Sequence, residues 1–348
     1  MSESFQIGRP VEGAGRKMTL KDVSIAAGLS LITVSRALRK PESVQEHTRQ
    51  RVQQAIEEIG YFPNLTARSL VSNRSGMVGV VVPILTSSLF ADFAQGVADT
   101  LREENKQMLL GVSQRSGEGE AEAVKTFIAR QADAIIVTGF THSSACRKYL
   151  SSFHGPIVET WNLREEKLDI AVGYDNFRAA TDMTGYLIDK GYQEIAMVGG
   201  AFENNDQAVD RRNGYLHAMR ARNRRIREEF IVPVPNPTTL ESGREAMAKL
   251  MSGSVKPDAV FFQAEIPAHG AMMFCLSHGI SVPKDVAIAG FGDLSLSAMF
   301  PVPLTTIRIK ARLIGETAAL MVLNRLKGNP AKERVIDVGY EIMMRQSA

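Results

Sequence analysis

Met18–Arg39 reads MTLKDVSIAAGLSLITVSRALR, two short amphipathic helices set around one glycine. Leu20, Val23 and Ala26–Ala27 recur at three- and four-residue spacing, which puts them on one helical face. Gly28 follows, free to take the left-handed conformation that closes a helix and turns the chain. Ser30 is placed to cap a second helix, whose Val34 and Leu38 point back at the first. Helix, tight turn, second helix and basic end are the pattern of a helix-turn-helix, whose second helix lies in a DNA major groove. An ordinary αα-hairpin carries the same pattern, so the flanking sequence has to decide.

Downstream the spacing predicts a third helix over Val44–Ile59, with Val52, Ala55, Ile56 and Ile59 as its apolar stripe and Gly60 as its end. Tyr61-Phe62-Pro63-Asn64 follows, and Leu65–Ser72, LTARSLVS, reads as a short isolated helix before a Ser/Asn/Gly linker. DVSIAAGLSLITVSRAL, a third helix and then GYFPNLTARSL together resemble the DNA-binding headpiece and hinge helix of the lactose-repressor (LacI/GalR) family.

The resemblance implies that Thr19, Ser30, Leu31, Ile32, Thr33, Ser35 and Arg36 face double-stranded DNA. It likewise brings Asn64, Ala67 and Leu70 of the hinge helix to the minor groove. Leu70 matches the leucine that each of two subunits wedges into the central base step, an apolar device for kinking a duplex. Taken alone, Leu70 reads as a core leucine. Leu31 and Ile32 match the family's base-reading pair, yet aliphatic side chains reach thymine methyls without making bidentate hydrogen bonds. Specificity is therefore expected to lean on Arg36 and on DNA shape.

Length and charge agree. At 348 residues and 38.1 kDa the chain is long for one core. Between Arg16 and Ser75 three Lys and seven Arg stand against one Asp and four Glu, a surplus of +5 in a chain whose net charge is +3. The basic segment suits phosphate contact, although such a surplus is also an ordinary solvated surface. Cys146 and Cys275 lie far apart in apolar contexts, as reduced thiols in a cytoplasmic protein do. No apolar run is long enough for a membrane span. Residues 1–17 are expected to form a disordered tail, since their start has Glu3, Glu12 and no apolar signal core.

From Met77 the texture becomes an α/β alternation. MVGVVVP (77–83), QMLLGVS, AIIVTG, PIVETW, IAVGYD, EIAMVGG, DAVFFQA and VAIAGFG read as near-continuous apolar strands. Helices are expected near 90–105, 120–129 and 178–190. This is the pattern of parallel sheets covered on both faces, with ligands beyond the carboxyl ends of the strands. Over 77–346 the resemblance extends to the family's periplasmic-binding-protein-like effector domain of two parallel-sheet lobes. The implied boundaries are a headpiece at 18–63, hinge helix and linker at 64–76, an N-lobe at about 77–174 and 308–334, and a C-lobe at about 176–306 and 336–346. Chain crossings between lobes are placed near Asp175, Ile307 and Val335. LDIAVGYDNF and VVPILTSSLFADFAQGV most resemble the gluconate-utilisation repressors of the family.

The resemblance also implies an effector site. RRNGY makes Arg211 the arginine that grips the ligand, and a guanidinium fork is the natural partner of a carboxylate. The family's strand-end Asn-Asp is replaced here by Ala264-Glu265, which keeps an acceptor and lengthens its reach. Phe90 stands where a side chain packs over the effector, and Trp161 offers a flat ring at a strand end. Asp175, Asn176 and Asp293 complete the candidates, with helix capping as the alternative for each.

An enzyme reading fails on its motifs. No GxGxxG or GxxxxGK[ST] follows a strand, the six histidines show no HExxH spacing, and GxSxG is absent. A sugar-transport receptor would need a leader where the basic headpiece stands. The expectation is a cytoplasmic transcriptional regulator, a repressor acting as a homodimer on a pseudo-palindromic operator. It would use no cofactor or metal and answer to a small-molecule effector, a sugar acid such as gluconate or 2-ketogluconate. A neutral sugar or a purine is the alternative effector. The lactose repressor's C-terminal heptads have no counterpart after Asp337, so a dimer is expected.

Overall fold

A computed structural model of the protein describes residues 18–62, 74–200, 205–234, 239–331 and 333–348. Chain contacts divide it into two units, Met1–Asn73 and Arg74–Ala348. Asn64, Ala67 and Leu70, with the proposed hinge helix, lie outside the described residues.

The first unit packs three helices: α1 (Leu20–Ala26), α2 (Leu31–Arg39) and α3 (Glu46–Ile59). Thr19 caps α1 through a reciprocal capping box with Asp22, satisfying two amide donors at once. Gly28 turns the chain at φ 61°, and Ser30 caps α2 by accepting from the Thr33 amide at 3.1 Å. Val23, Ala27, Val34, Ala37, Val52 and Ala55 form the small core. Arg51 of α3 donates to the Ala27 carbonyl at 2.7 Å, tying the third helix to the turn. The third helix begins at Glu46 rather than Val44, because a 3₁₀ turn over Pro41–Ser43 takes up the preceding chain.

The second unit holds two six-stranded sheets. β1 (Met77–Val82), β2 (Gln107–Val112), β3 (Ala134–Thr138), β4 (Ile157–Thr160) and β5 (Ile170–Gly173) build the first. β6 (Ile195–Gly200), β7 (Ile231–Val234), β8 (Ala259–Phe262), β9 (Ala287–Gly292) and β10 (Thr305–Ile309) build the second. β11 (Val335–Asp337) joins the first and β12 (Tyr340–Met343) the second, giving the orders β11-β5-β4-β3-β1-β2 and β12-β10-β9-β8-β6-β7. Every pairing is parallel except β10 with β12.

The connecting helices are α4 (Ser88–Glu103), α5 (Gly117–Ala129), α6 (Ser144–Ser152), α7 (Asn176–Asp189), α8 (Asp206–Ala221), α9 (Leu240–Ser252), α10 (Glu265–Ser277) and α11 (Ala311–Leu326). β1, β3, β4 and β5 of the first sheet are buried on both sides, whereas the outer strands β2 and β11 are only partly covered.

Two crossing positions differ from the sequence expectation. Ile307 sits inside β10, paired with Phe291 and Ile342, so the chain leaves the second sheet only at Lys310. Val335 does not mark the third crossing, and 336–337 do not belong to the C-lobe. Val335–Asp337 pair in parallel with Ala171–Gly173, and the chain crosses at Val338-Gly339, where Gly339 takes φ 69°. A three-residue strand has too few side chains for its pattern to name its sheet. The expected linker also ends earlier. Ser75 and Gly76 donate their amides to the Asp133 carboxylate at 2.7 and 3.1 Å, which fixes them to the first sheet.

Candidate functional site: an effector cleft and a DNA-reading helix

On α2 the structure separates buried from presented residues. Val34 and Ala37 face the core, while Leu31 and Ile32 are 47% and 70% exposed and Arg36 is exposed beside them. Ser30 and Thr33 share a hydroxyl contact at 2.8 Å, and Thr19 is committed to Asp22, so capping already occupies these three side chains. Ser35 is half-buried. The result is an aliphatic tip followed by an exposed arginine, the surface a groove-entering helix offers.

Between the two sheets lies a cleft of about 820 Å³, part of it open to solvent. It is walled by strand ends and helix starts, as parallel sheets arrange it. Arg211 projects from the second turn of α8 rather than from the helix start. Its Nε donates to Asn176 Oδ1 at 2.8 Å, one terminal nitrogen to the Gln263 carbonyl at 2.8 Å and the other to the Tyr174 hydroxyl at 2.9 Å. The guanidinium carbon stands 3.9 Å from the Phe291 ring centroid. Three of its five N–H groups are thus used for aiming, and two remain for a ligand.

Phe90 and Trp161 pack together with ring centroids 4.6 Å apart and both line the cleft. Trp161 takes φ 74°, an outlier for so bulky a residue. Its amide donates to the Val172 carbonyl, and its carbonyl accepts from Asn176 Nδ2 at 2.9 Å. The indole N–H is buried and finds no acceptor among the described residues. In this way Asn176 braces Trp161 with its nitrogen and Arg211 with its oxygen; it is fully buried and does not line the cleft.

Three acids behave differently from the expectation. Glu265 borders the cleft, but its carboxylate accepts from Ser297 Oγ and, at 2.6 Å, from Thr306 Oγ1. Burial lifts its carboxyl to about 7 against those two hydrogen bonds. Asp175 caps α7 by accepting from the Arg178 amide at 2.9 Å and does not line the cleft. Asp293 is paired with Arg308 at 2.7 Å and Arg345 at 2.6 Å, a structural use of its charge that keeps it from the cleft. Capping and ion pairing took up the two carboxylates, as short acids at strand ends permit.

Sequence reasoning missed Arg115, which lines the cleft from the loop after β2. It forms no hydrogen bond or ion pair among the described residues. Desolvation by the surrounding protein, and then the positive charge of Arg211, lower its pKa. A strand-end position was the available signal. Tyr174, Asn205, Gln207 and Gln263 add polar lining. Between the lobes Asn162 donates to Asp206 and Asp210 at 2.7 Å each, and Arg164 pairs with Asp210.

Two facing parallel sheets around a ligand cleft, with a separate helix-turn-helix unit, define a DNA-binding regulator governed by a small molecule. The chain belongs to the LacI family of bacterial regulatory proteins. Residues 19–64 match the family described as bacterial regulatory proteins, lacI family, and residues 184–348 match the periplasmic binding protein-like domain. The HTH-type transcriptional regulator IdnR of Escherichia coli K12 is 30% identical over 331 residues, 94% of this chain and 97% of the relative. The HTH-type transcriptional regulator GntR of Pseudomonas aeruginosa is 30% identical over 329 residues, 94% and 95% of the two chains. A crystal structure of a LacI-family regulator from Silicibacter pomeroyi superposes with a TM-score of 0.86 at 29% identity, covering 95% of this chain and 99% of that one. The protein is therefore a DNA-binding transcriptional regulator with an effector-binding domain. Among the described residues no helix is long and apolar enough to cross a membrane.

Proposed function

We propose that the protein is a cytoplasmic repressor that binds a pseudo-palindromic operator as a homodimer, and that its effector is a sugar acid. Arg115 carries this reading. It shares one cleft with Arg211 and has no counter-charge among the described residues, while the acid that borders the same cleft, Glu265, is engaged elsewhere and held near neutrality. A cleft with two cations and, among the described residues, no free carboxylate favours a ligand bearing its own negative charge. Asn205, Gln207 and Gln263 supply hydroxyl partners, and Phe90 with Trp161 covers an apolar sugar face. A neutral sugar or purine can accept hydrogen bonds from Arg115 and Arg211 but brings no charge to offset theirs.

In this reading effector binding stabilises one closure of the two lobes and changes how paired hinge segments, with Asn64, Ala67 and Leu70, meet the minor groove. Leu31, Ile32, Ser35 and Arg36 contact the operator from the headpiece, while Thr19, Ser30 and Thr33 hold the two helix starts through their caps. The ligand acts only through its differential affinity for the two states.

Calorimetry with gluconate, 2-ketogluconate and glucose on wild type and Arg211→Ala tests the effector. A sugar acid is expected to bind far more tightly than glucose, and Arg211→Ala to lose about thirtyfold in affinity, roughly 2 kcal/mol. Equal binding of glucose, or full sugar-acid affinity in Arg211→Ala, contradicts the reading and returns a neutral sugar or purine to first place.

A further inference from the structure

In the first sheet's lobe a second group of residues converges on one point. Glu120 stands in the first turn of α5, His142 follows β3, and Cys146 lies four residues on, in the first turn of α6. All three are buried. A carboxylate oxygen of Glu120, a ring nitrogen of His142 and the Cys146 sulfur lie within 4.8 Å of one another. His142 Nδ1 is 3.0 Å from each Glu120 oxygen, and the Cys146 sulfur lies within 4.8 Å of both partners.

The other ring nitrogen tells more. His142 Nε2 is 3.2 Å from Glu159 Oε1 on β4, and Glu159 Oε2 accepts from the Leu168 amide at 2.6 Å. A histidine whose second nitrogen is oriented by a carboxylate, itself held by a backbone amide, is the arrangement that fixes metal-binding imidazoles. A tetrahedral ion with bonds of about 2.1 Å needs donors ~3.4 Å apart, so small side-chain adjustments suffice. A hollow adjoins the cluster, whose His142 and Cys146 side chains are themselves closed to solvent. Glu120 and His142 line a hollow that also borders Ser113, Ser116 and Thr141, and it meets the effector cleft at Arg115 and Phe90.

We propose that Glu120, His142 and Cys146 form a binding site for a divalent transition-metal ion of zinc-like softness, with Glu159 as the residue that orients His142. One sulfur, one imidazole nitrogen and one carboxylate oxygen make a three-ligand set that prefers zinc or cobalt to magnesium or calcium. The hollow leaves the fourth position to water. On binding, the ion replaces the thiol proton and the proton shared between His142 and Glu120; no electron transfer is involved. The site does not use Arg211 or Trp161, so it stands or falls independently of the effector assignment.

The test is metal titration of the full-length, chelator-treated protein with cobalt and zinc. One ion per chain is expected, with a thiolate-to-cobalt charge-transfer band that disappears in Cys146→Ala and persists in Cys275→Ala. Glu159→Gln should weaken zinc binding about ten- to hundredfold, as loss of an orienting carboxylate does. Absence of stoichiometric binding, or a band unchanged by Cys146→Ala, overturns the proposal and leaves a hydrogen-bonded network only. Should Cys146→Ala fail to fold, X-ray absorption of zinc on the wild-type protein decides. One sulfur in the first shell supports the site, and a shell without sulfur rejects it.

Discussion

Glu265 is the residue whose environment most directly sets a measurable property of the free protein. Its carboxyl is 3% exposed and lifted to about 7 from an ordinary 4.5, chiefly by burial. Facing groups do not rescue its charge. His269, 3.9 Å away, is pushed down to about 4 by burial and stays neutral, and Asp293 adds repulsion. A native pKa raised above the unfolded one favours folding below pH 4.5, and that advantage is lost as pH rises through 7. Between pH 5 and 8 wild type should therefore lose on the order of 3 kcal/mol relative to Glu265→Gln, a difference that thermal melts at both pH values will show. Parallel curves for the two proteins would contradict it. At Arg36, exposed on α2, the expected effect concerns specificity. Arg36→Ala should reduce discrimination between operator and altered operators by about 1–3 kcal/mol, read in competition binding. Equal losses on operator and random DNA would remove Arg36 from base reading. At this scale the sequence was only half legible. The residues marked by RRNGY and by position, Arg211, Phe90 and Trp161, line the cleft, whereas Asp175 takes the helix cap given as its alternative and Asp293 is held by two arginines. Nothing local in the sequence reveals that Arg308 and Arg345, distant in the chain, close on Asp293.

Among the elements, the helix pairs set how tightly each lobe is built. α4 and α11 approach so closely that a Cβ at Gly315 would lie 2.1 Å from the Phe93 carbonyl oxygen, and one at Gly96 would lie 2.4 Å from that of Arg312. Backbone cannot yield there as a flexible side chain can. Gly315→Ala should force the helices apart at a cost of about 1–3 kcal/mol, seen as a lower urea midpoint with the secondary structure kept. An unchanged midpoint would mean that the pair is looser than its geometry. Long periodic segments were readable in advance because one buried face repeats over several turns, as in α4 and α7, and because buried strands such as β1 and β6 are apolar throughout. Short elements escaped. β7 carries a proline and an exposed edge, and β11 is three residues long, so only hydrogen bonding to Met197–Gly200 and Ala171–Gly173 identifies them.

For the whole molecule, the headpiece and the effector domain were legible together because each carries a long, ordered pattern. What sequence could not supply was how the cleft is charged, since Arg115 enters it from a loop whose direction only the fold determines. The central claim joins the two units: a sugar acid held by Arg211 and Arg115 changes the protein's affinity for its operator. Coupling of this kind is usually worth about 1–3 kcal/mol, five- to 150-fold in affinity. The most direct measurement is a fluorescence titration of a labelled operator, selected from randomised DNA with the full-length protein, at fixed salt with and without saturating gluconate or 2-ketogluconate. The prediction is a shift in operator affinity of at least about fivefold for wild type and none for Arg211→Ala. The same operator affinity with and without the sugar acid, under conditions where calorimetry shows it bound to wild type, would contradict the account.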